Sequence, residues 1–256
     1  MHREAHRCRR SYTRRRMSRP TVTVVIPIHN EVEILASAVQ TLLGQLEEVD
    51  ADVSVILVEN GSTDDTYIRG VDLASRTSDL AVIQHGEPDY GASMRAGFLA
   101  ATGDWVVNFD IDYFSGPFLS TVLSEHAEAD IVIASKRVDG SEDRRSILRR
   151  LGTFGFNRLL RLLFGSSVSD THGMKAFRAD VVAEFAPIVV SRKDLFDTEL
   201  VLRAENAGRR IDEVPVVVEE LREARSSFLT RIPRTLRGLW EMRRLLRAGS
   251  DAESGA

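Results

Sequence analysis

The chain has 256 residues, of which 43% are hydrophobic, enough for one sizeable α/β domain and at most an appendage. Its formal net charge is −4, but residues 1–19 carry +7, residues 221–247 carry +6 and residues 248–256 carry −2, which leaves −15 for residues 20–220. The single cysteine, Cys8, excludes an internal disulfide and fits a reducing cytoplasm. No run approaches the roughly 20 apolar residues of a membrane-spanning helix.

The basic start of the chain, residues 1–19, lacks the apolar stretch of a signal peptide, and we expect it to be disordered. Met17 is an alternative start, which would place residues 1–16 outside the protein. The two basic ends have two interpretations: solvated segments, or segments attracted to an anionic surface.

Predicted strands and helices alternate through the first half of the chain. The strands are β-branched or apolar runs, and the helices show apolar residues at helical spacing. This alternation predicts a mostly parallel sheet with helices on both faces. The predicted strands are residues 21–27, 53–58, 80–83, 104–109 and 130–134, and the predicted helices are 31–46, 92–101 and 117–127, with a turn at 61–66 that leads into another helix.

The second half is predicted to be more helical. Residues 144–164 form an Arg-rich amphipathic helix, a polar turn follows at 170–175, and residues 195–207 are helical. Residues 211–216 contain a proline and are therefore typical of an edge strand. The last predicted helix, 230–247, carries one apolar stripe that either lies in a bilayer interface or packs on the sheet. The stripe consists of Ile232, Leu236, Leu239, Trp240 and Leu246.

Two carboxylates, Asp110 and Asp112, directly follow the predicted strand 104–109. Because side chains alternate along an extended chain, we expect both to point the same way. Two adjacent carboxylates repel each other unless a cation lies between them, and their oxygens suit Mg²⁺ or Mn²⁺. An Asp-x-Asp pair is also common in ordinary loops, so the metal interpretation depends on the surrounding sequence.

Polar clusters follow four of the predicted strands. Ligands of parallel sheets bind outside the carboxyl ends of the strands, so these clusters predict a binding site there. The clusters are Asn30-Glu31, Glu59-Asn60, Asp110-Ile111-Asp112 and Ser135-Lys136-Arg137.

The ordered set of motifs resembles family 2 glycosyltransferases with the GT-A fold. Each motif alone is loose, but together they span about residues 21–245 in family order, and they are most similar to the dolichyl- or polyprenyl-phosphate mannosyltransferase subgroup. The matching segments are VIPIHNE at 25–31, VENGSTDDT at 58–66, YGASMRAG at 90–97, ATGD at 101–104, DTHGMK at 170–175, DTEL at 197–200 and EVPV at 213–216.

The resemblance implies an inverting, metal-dependent transfer of a sugar, such as mannose or glucose, from a GDP- or UDP-sugar to a polyprenyl phosphate. It implies Mg²⁺ or Mn²⁺ as cofactor and a peripheral position at the cytoplasmic face of the membrane. It also sets the expected domain plan: residues 20–220 form the GT-A catalytic domain, residues 221–247 form a basic helix facing the membrane or the core, and residues 248–256 form a disordered tail.

The resemblance and the local chemistry assign roles to the site residues. Asp110 and Asp112 would hold the metal, and Asp197 or Glu199 would act as general base if the acceptor is a hydroxyl. Arg222 and Arg225, after the Val-Pro strand, would face an acceptor phosphate. The other expected substrate contacts are Lys136, Arg137 and Lys175 on phosphates, Asn30, Glu31, Glu59 and Asp89 on base or ribose, and Pro27, Asn60 and Arg95 from the matched motifs.

Several of these residues also have purely structural interpretations. Asn30 and Glu31 can cap a helix, Asp197 can complement a helix dipole, and Lys136 can be a surface charge.

The chain departs from the resembled pattern at two positions. Asn60 replaces the second acid after the second strand, and Phe114 stands where the subgroup often has a Gln or His that completes the metal shell. These departures keep two alternatives open: the same chemistry on a soluble hydroxyl acceptor, or a nucleotide-sugar-binding protein without catalysis.

Overall fold

The computed structural model describes residues 19–135, 138, 141–143, 147–169, 171, 173–191, 195–218 and 235–244. Its strands are β1 Thr21–Ile28, β2 Asp52–Asn60, β3 Leu80–His85, β4 Trp105–Asn108, β5 Ile131–Ser135, β6 Glu142–Asp143, β7 Lys175–Arg178, β8 Ile211–Pro215 and β9 Val217–Val218. Its helices are α1 Leu35–Leu46, α2 Thr66–Ser75, α3 Tyr90–Ala100, α4 Gly116–Glu125, α5 Ile147–Phe164, α6 Ala179–Phe185, a 3₁₀ turn Ala186–Ile188, α7 Phe196–Asn206 and α8, residues 235–244.

Seven strands form one sheet in the order β3-β2-β1-β4-β7-β5-β8. All neighbouring pairs are parallel except those of β7, which runs antiparallel to both β4 and β5. The chain moves outward from β1 to β2 and β3 and then returns to pair β4 on the other side of β1. This reversal is the switch point at which open α/β sheets bind ligands. The predicted α/β fold is confirmed.

The sheet is buried on both faces because its central strands are continuously apolar. In β1, Val24 and Ile26 belong to the core beneath α1 and α4, whereas Val25 belongs to the core beneath α3 and α7. Gly97 on α3 allows this second core to close, because a Cβ there would lie 2.4 Å from a methyl of Val25. The helix therefore packs directly against β1 and β2.

Helix α8 packs against α5 and α7 through a small apolar cluster. Leu239 and Met242 are fully buried there with Leu160, Leu195 and Leu202. The predicted apolar stripe is therefore not a single surface. Leu239 faces inward, while Leu236 and Trp240 remain 49% and 63% exposed, and Ile232 and Leu246 lie outside the described residues.

Within the described part of the chain, no helix is long and apolar enough to cross a bilayer.

Candidate active site

The two aspartates lie on a tight turn rather than on an extended strand. β4 ends at Asn108, and Asp110 and Tyr113 exchange two backbone hydrogen bonds of 3.1 and 3.0 Å. Ile111 is buried between them, so Asp110 and Asp112 are both exposed beyond the carboxyl end of β4. Strand alternation, from which we expect both side chains to point the same way, therefore does not apply here, because the turn sets the positions of the two carboxylates. We name residues 110–113 the aspartate turn.

The aspartate turn fits a divalent cation that is shared with a substrate. The described residues include no group of three or more Asp, Glu, His or Cys side chains that could hold a metal alone. Mg²⁺ in phosphate-transfer sites commonly takes one or two carboxylates and completes its shell with phosphate oxygens and water. Phe114 is half-buried against the apolar core and supplies no ligand. The two aspartates are thus a sufficient protein contribution for a hard, oxygen-binding cation.

A polar loop cluster lies on one side of the aspartate turn, after β1 and β2. Asn30 adopts φ 55°, and its Oδ1 accepts a 2.8 Å hydrogen bond from the N–H of Thr63. The N–H of Glu31 donates to Thr66 Oγ1 at 2.8 Å. Asn30 can adopt this left-handed conformation more readily than most residues. These bonds fasten the β1 and β2 loops together and shape one wall of the site.

Glu59 and Asn60 are buried in the same cluster. The N–H of Ser62 donates to Glu59, and Asn60 Oδ1 accepts from the N–H of Asp89 at 2.7 Å and from Ser93 Oγ at 2.9 Å. Asp89 is also the N-cap of α3. The amide oxygen of Asn60 thus joins the end of β2 to the start of α3, which is a structural reason for Asn at this position.

Asp64 closes this cluster. Its carboxylate accepts hydrogen bonds from the hydroxyl and the N–H of Thr66 and from the N–H of Val32. Burial acts to raise the pKa of Asp64, but these hydrogen bonds outweigh it and hold the pKa below its ordinary value. The loop therefore keeps a fixed negative charge at neutral pH.

The opposite side of the aspartate turn holds a buried ion pair. Lys175 begins β7, is fully buried, and its Nζ donates to Gly173 O at 2.9 Å and to Asp197 Oδ2 at 2.5 Å. The other oxygen of Asp197 accepts from the N–H of Thr198 at 3.0 Å. The sequence predicts that Lys175 contacts phosphates. In the structure its ammonium group is instead buried and bonded to Asp197.

Glu199 is also fully engaged. It is fully buried, and its carboxylate accepts from the backbone N–H groups of Val190 and Ser191 and from the guanidinium of Arg203. Asp197 and Glu199, the two predicted general bases, therefore both have their oxygens occupied in this structure.

A polar cluster joins the carboxyl end of β5 to the middle of β8. Ser169 receives a 2.8 Å contact from Ser135 Oγ, and its own N–H and Oγ donate to Glu213 at 3.1 and 2.7 Å. Asn157 on α5 donates from Nδ2 to Ser169 O at 2.6 Å. We name these four residues, Ser135, Asn157, Ser169 and Glu213, the serine cluster.

The structure separates one predicted residue from the site. Arg95 donates to the backbone carbonyls of Ala186 and Pro187, so it fastens the 3₁₀ turn onto α3. The sequence predicts Arg95 as a substrate contact, whereas in the structure these bonds give it a structural role. Pro27 lies in β1, half-buried, beside Val58 of β2. Lys136, Arg137, Arg222 and Arg225 lie outside the described residues.

Two residues near the site were not predicted. Asn108 pairs with Lys175 across β4 and β7 and is buried, and Asn157 is the polar residue on the buried face of α5. A signal for Asn157 was present, because it interrupts the apolar face formed by Phe156, Leu159 and Leu160. Asn108 gave none, since a lone Asn at the end of a strand is common.

Known proteins resemble this chain in sequence. The model of the family described as "Glycosyl transferase family 2" matches residues 23–185. The polyprenol monophosphomannose synthase of Mycolicibacterium smegmatis is 31% identical over 219 residues, which cover 79% of each chain. Glycosyltransferase AglD of Haloferax volcanii is 28% identical over 202 residues, and the match covers 76% of this chain but about a third, 32%, of that protein.

A solved structure shares the fold. Glucosyl-3-phosphoglycerate synthase from Mycobacterium tuberculosis, crystallised with Mn²⁺, UDP-glucose and phosphoglyceric acid, superposes with a TM-score of 0.65 at 19% identity. The match covers 88% of this chain and 79% of that chain. At this identity the likeness establishes the GT-A architecture.

Proposed function

The chain belongs to glycosyl transferase family 2 and is a nucleotide-sugar-dependent glycosyltransferase, and we propose that it transfers a hexose, mannose or glucose, with inversion to a polyprenyl phosphate. The observation that carries this proposal is the aspartate turn at the switch point of the sheet, with a polar cluster on each side. A relative that covers most of the chain is named for making polyprenol monophosphomannose.

Asp110 and Asp112 are proposed to hold Mg²⁺ or Mn²⁺ against the donor diphosphate. When bound, such a cation acts as a Lewis acid that stabilises the charge of the departing nucleotide. The protein's own contribution is placement: the buried Ile111 and the paired backbone of Asp110 and Tyr113 fix both carboxylates at the mouth of the site. Preorganised charge of this kind needs no reorganisation during the reaction.

The loop cluster after β1 and β2 is proposed to hold the nucleoside. Glu31, Glu59 and Asp89 remain the candidates to contact base or ribose, because they belong to the wall that borders the switch point. Asn30 and Asn60 are assigned a supporting role, since their amide oxygens already receive backbone donors.

The two carboxylates predicted as general bases, Asp197 and Glu199, are both bonded within the protein, and this supports a phosphate as the acceptor. A hydroxyl acceptor needs a base to remove its proton, whereas a phosphate is already anionic and needs only positioning. Asp197 is bonded to Lys175, and Glu199 is bonded to Arg203 and two backbone N–H groups. The acceptor that needs no base is therefore favoured. Lys136, Arg137, Arg222 and Arg225 are proposed to contact the phosphates.

A peripheral position at the cytoplasmic face of the membrane is proposed for the same reason, since a polyprenyl phosphate resides in a bilayer. Helices α5 and α8 pack together, and both expose arginines and apolar side chains. On α5 these are Phe154 and Leu162, and on α8 they are Leu236 and Trp240. Interfacial helices combine exposed apolar and basic residues in this way.

A soluble acceptor is the second candidate. It is supported by the shared fold with a synthase crystallised with phosphoglyceric acid, which also carries a phosphate. This candidate keeps the donor chemistry and removes the need for a membrane.

The experiment measures transfer by the full chain from GDP-mannose and from UDP-glucose, with Mg²⁺ or Mn²⁺, to polyprenyl phosphate in detergent and to 3-phosphoglycerate. We expect transfer to the lipid, abolished by chelator. Asp110→Asn and Asp112→Asn are each expected to reduce it about a hundredfold or more. Glu128→Gln, an exposed acid after α4, is the matched control and should leave the rate unchanged.

Each result has a defined consequence. Full activity of either aspartate variant in saturating chelator would exclude the metal role. Transfer to 3-phosphoglycerate with none to the lipid would replace the proposed acceptor with the soluble one.

A further inference from the structure

Asn157 carries a buried hydrogen-bond acceptor that no described residue satisfies. The residue is 7% exposed, and its Nδ2 donates to Ser169 O at 2.6 Å. Because a carbonyl oxygen can only accept, this bond fixes which amide atom faces Ser169. Oδ1 therefore points the other way, where it is buried and has no hydrogen-bond partner within the described residues.

The bond to Ser169 O accounts for the Nδ2 group of Asn157 and leaves Oδ1 unexplained. Ser169 is already held by Glu213 through its N–H and Oγ and by Ser135 through its hydroxyl. An unpaired buried acceptor lowers stability, and such atoms in native proteins call for a bound water, an ion or a function. The described residues supply no donor to Oδ1, so a bound molecule is the candidate to provide one.

The position of Asn157 limits what that donor can be. The serine cluster joins the carboxyl end of β5, at Ser135, to the middle of β8, at Glu213, and only β7 separates β5 from β4 in the sheet. Two strand spacings are about 10 Å, so the end of β5, where Ser135 begins the serine cluster, lies within reach of a sugar on a diphosphate bound at the aspartate turn. The proposed nucleoside contacts lie across the turn, at the loops after β1 and β2.

Chemistry then selects among the groups present in the reaction. Phosphate oxygens at neutral pH are acceptors, so neither the diphosphate nor a phosphate acceptor can satisfy Oδ1. The hydroxyls of the transferred sugar are donors and are expected on this side of the aspartate turn. They are the groups that both the chemistry and the topology allow.

We propose that Asn157 is a specificity-determining residue whose Oδ1 accepts a hydrogen bond from one hydroxyl of the transferred sugar. The inference rests on the proposed glycosyl transfer, and it names the sugar as the part of the substrate that Asn157 contacts. It leaves the identity of the acceptor aside.

The test crosses variants with donors. Wild-type protein and Asn157→Leu are compared on GDP-mannose, UDP-glucose and analogues of the preferred donor that each lack one sugar hydroxyl. Sugar transfer to polyprenyl phosphate and donor hydrolysis by water are both followed. Asn206→Leu, the same change at an exposed position of α7, is the control and should behave as wild type.

The expected result is selective. Asn157→Leu should lower kcat/KM about tenfold or more on the natural donor. Wild type should lose a similar factor on one deoxy donor, and on that donor the variant and wild type should perform alike. If Asn157→Leu does not fold, Asn157→Asp, which keeps the shape but loses the Nδ2 donor, takes its place. Its second oxygen still accepts, so it should retain the wild-type ranking of the deoxy donors.

Three results would overturn the inference. An unchanged kcat/KM for Asn157→Leu would mean that Oδ1 holds only a water. An equal loss on every donor would mean a purely structural role. If the Asn157→Asp variant is used, a ranking of the deoxy donors that differs from the wild-type ranking would also overturn the inference. If hydrolysis shows the selective pattern while transfer to the lipid is absent, the inference stands and the proposed acceptor fails.

Discussion

Lys175 and Asp197 show how a buried charge constrains the site. The ammonium is fully buried and Asp197 is 8% exposed, so each charge depends on the other. Desolvation offsets much of the attraction in such a pair, but removing one partner leaves an uncompensated buried charge. The pair joins β7 to α7 directly beside the aspartate turn, which links folding to the geometry of the site.

We expect Lys175→Met and Asp197→Asn each to lower the free energy of unfolding by about 3–5 kcal/mol, because each leaves a buried charge or donor without its partner. The double variant Lys175→Met/Asp197→Leu should lose much less than the sum, since neither charge remains. Urea unfolding followed by circular dichroism measures all three.

The double variant also separates folding from function. If it is stable yet does not transfer sugar, the pair acts in the site as well as in the fold. Single variants that unfold at the wild-type urea midpoint would show that the pair is not closed in solution.

Among the elements, α8 has two apolar faces with different partners. Leu239 and Met242 pack against α5 and α7, whereas Leu236 and Trp240, one turn apart, are exposed. Arg237 pairs with Glu241 on the exposed surface, and a pair of this kind contributes little to stability. Deleting the helix would therefore remove core packing together with any membrane contact, so point substitutions give the cleaner test.

Trp240→Ala should weaken binding to anionic vesicles about tenfold while leaving stability nearly unchanged, because the side chain is 63% exposed in the free protein. Leu239→Ala should lower the free energy of unfolding by about 2–5 kcal/mol and leave vesicle binding of the folded protein intact. Co-sedimentation at low and high salt and urea unfolding provide the two readouts.

Ile68→Ala on α2 is the matched control, since Ile68 is 66% exposed far along the chain from α8. Equal sedimentation of wild type, Trp240→Ala and Ile68→Ala would remove α8 from the membrane hypothesis.

At the scale of the whole molecule, the carboxylate of Asp104, at the amino-terminal edge of the sheet, links stability to pH. Asp104, just before β4, accepts from the N–H of Thr21 at 2.9 Å and from its hydroxyl at 2.8 Å, joining the starts of β4 and β1. These two bonds, aided by Arg178, hold the pKa of Asp104 below its ordinary value. As long as the carboxylate of Asp104 is charged, these bonds join β1 to β4 at the edge of the sheet opposite the site.

The folded-state pKa of Asp104 lies below its unfolded value of about 3.9, so its contribution is complete above that pH and is lost as the pH falls through the folded pKa. Asp104→Asn should therefore lower Tm at pH 7, and the difference from wild type should shrink steadily below about pH 4. Thermal unfolding at pH 7, 5, 3 and 2 measures this. Glu48→Gln, an exposed acid after α1, should show no such convergence, and a constant Asp104→Asn difference at all four values would refute the linkage.

The sequence by itself determined the alternating strands and helices, the edge position of β8 and the position of the aspartate pair just beyond a strand. These features are local: strand and helix periodicity, a proline in an edge strand, and two acids after an apolar run are all encoded within a few residues. Pairing of nearby strands in parallel follows from the same pattern. For this reason the fold class and the carboxyl edge of the sheet were predicted correctly.

Only the tertiary structure decided which partners the polar side chains take. β7 enters the sheet antiparallel between β4 and β5, which brings Lys175 to Asp197, 22 residues away, and turns its charge from solvent to the interior. Arg95 donates a hydrogen bond to the carbonyl of Ala186, 91 residues away. Leu239, one residue of the predicted apolar stripe, is buried against α5 and α7. Such contacts depend on which distant elements meet, and a buried charge or amide takes the partner that packing supplies.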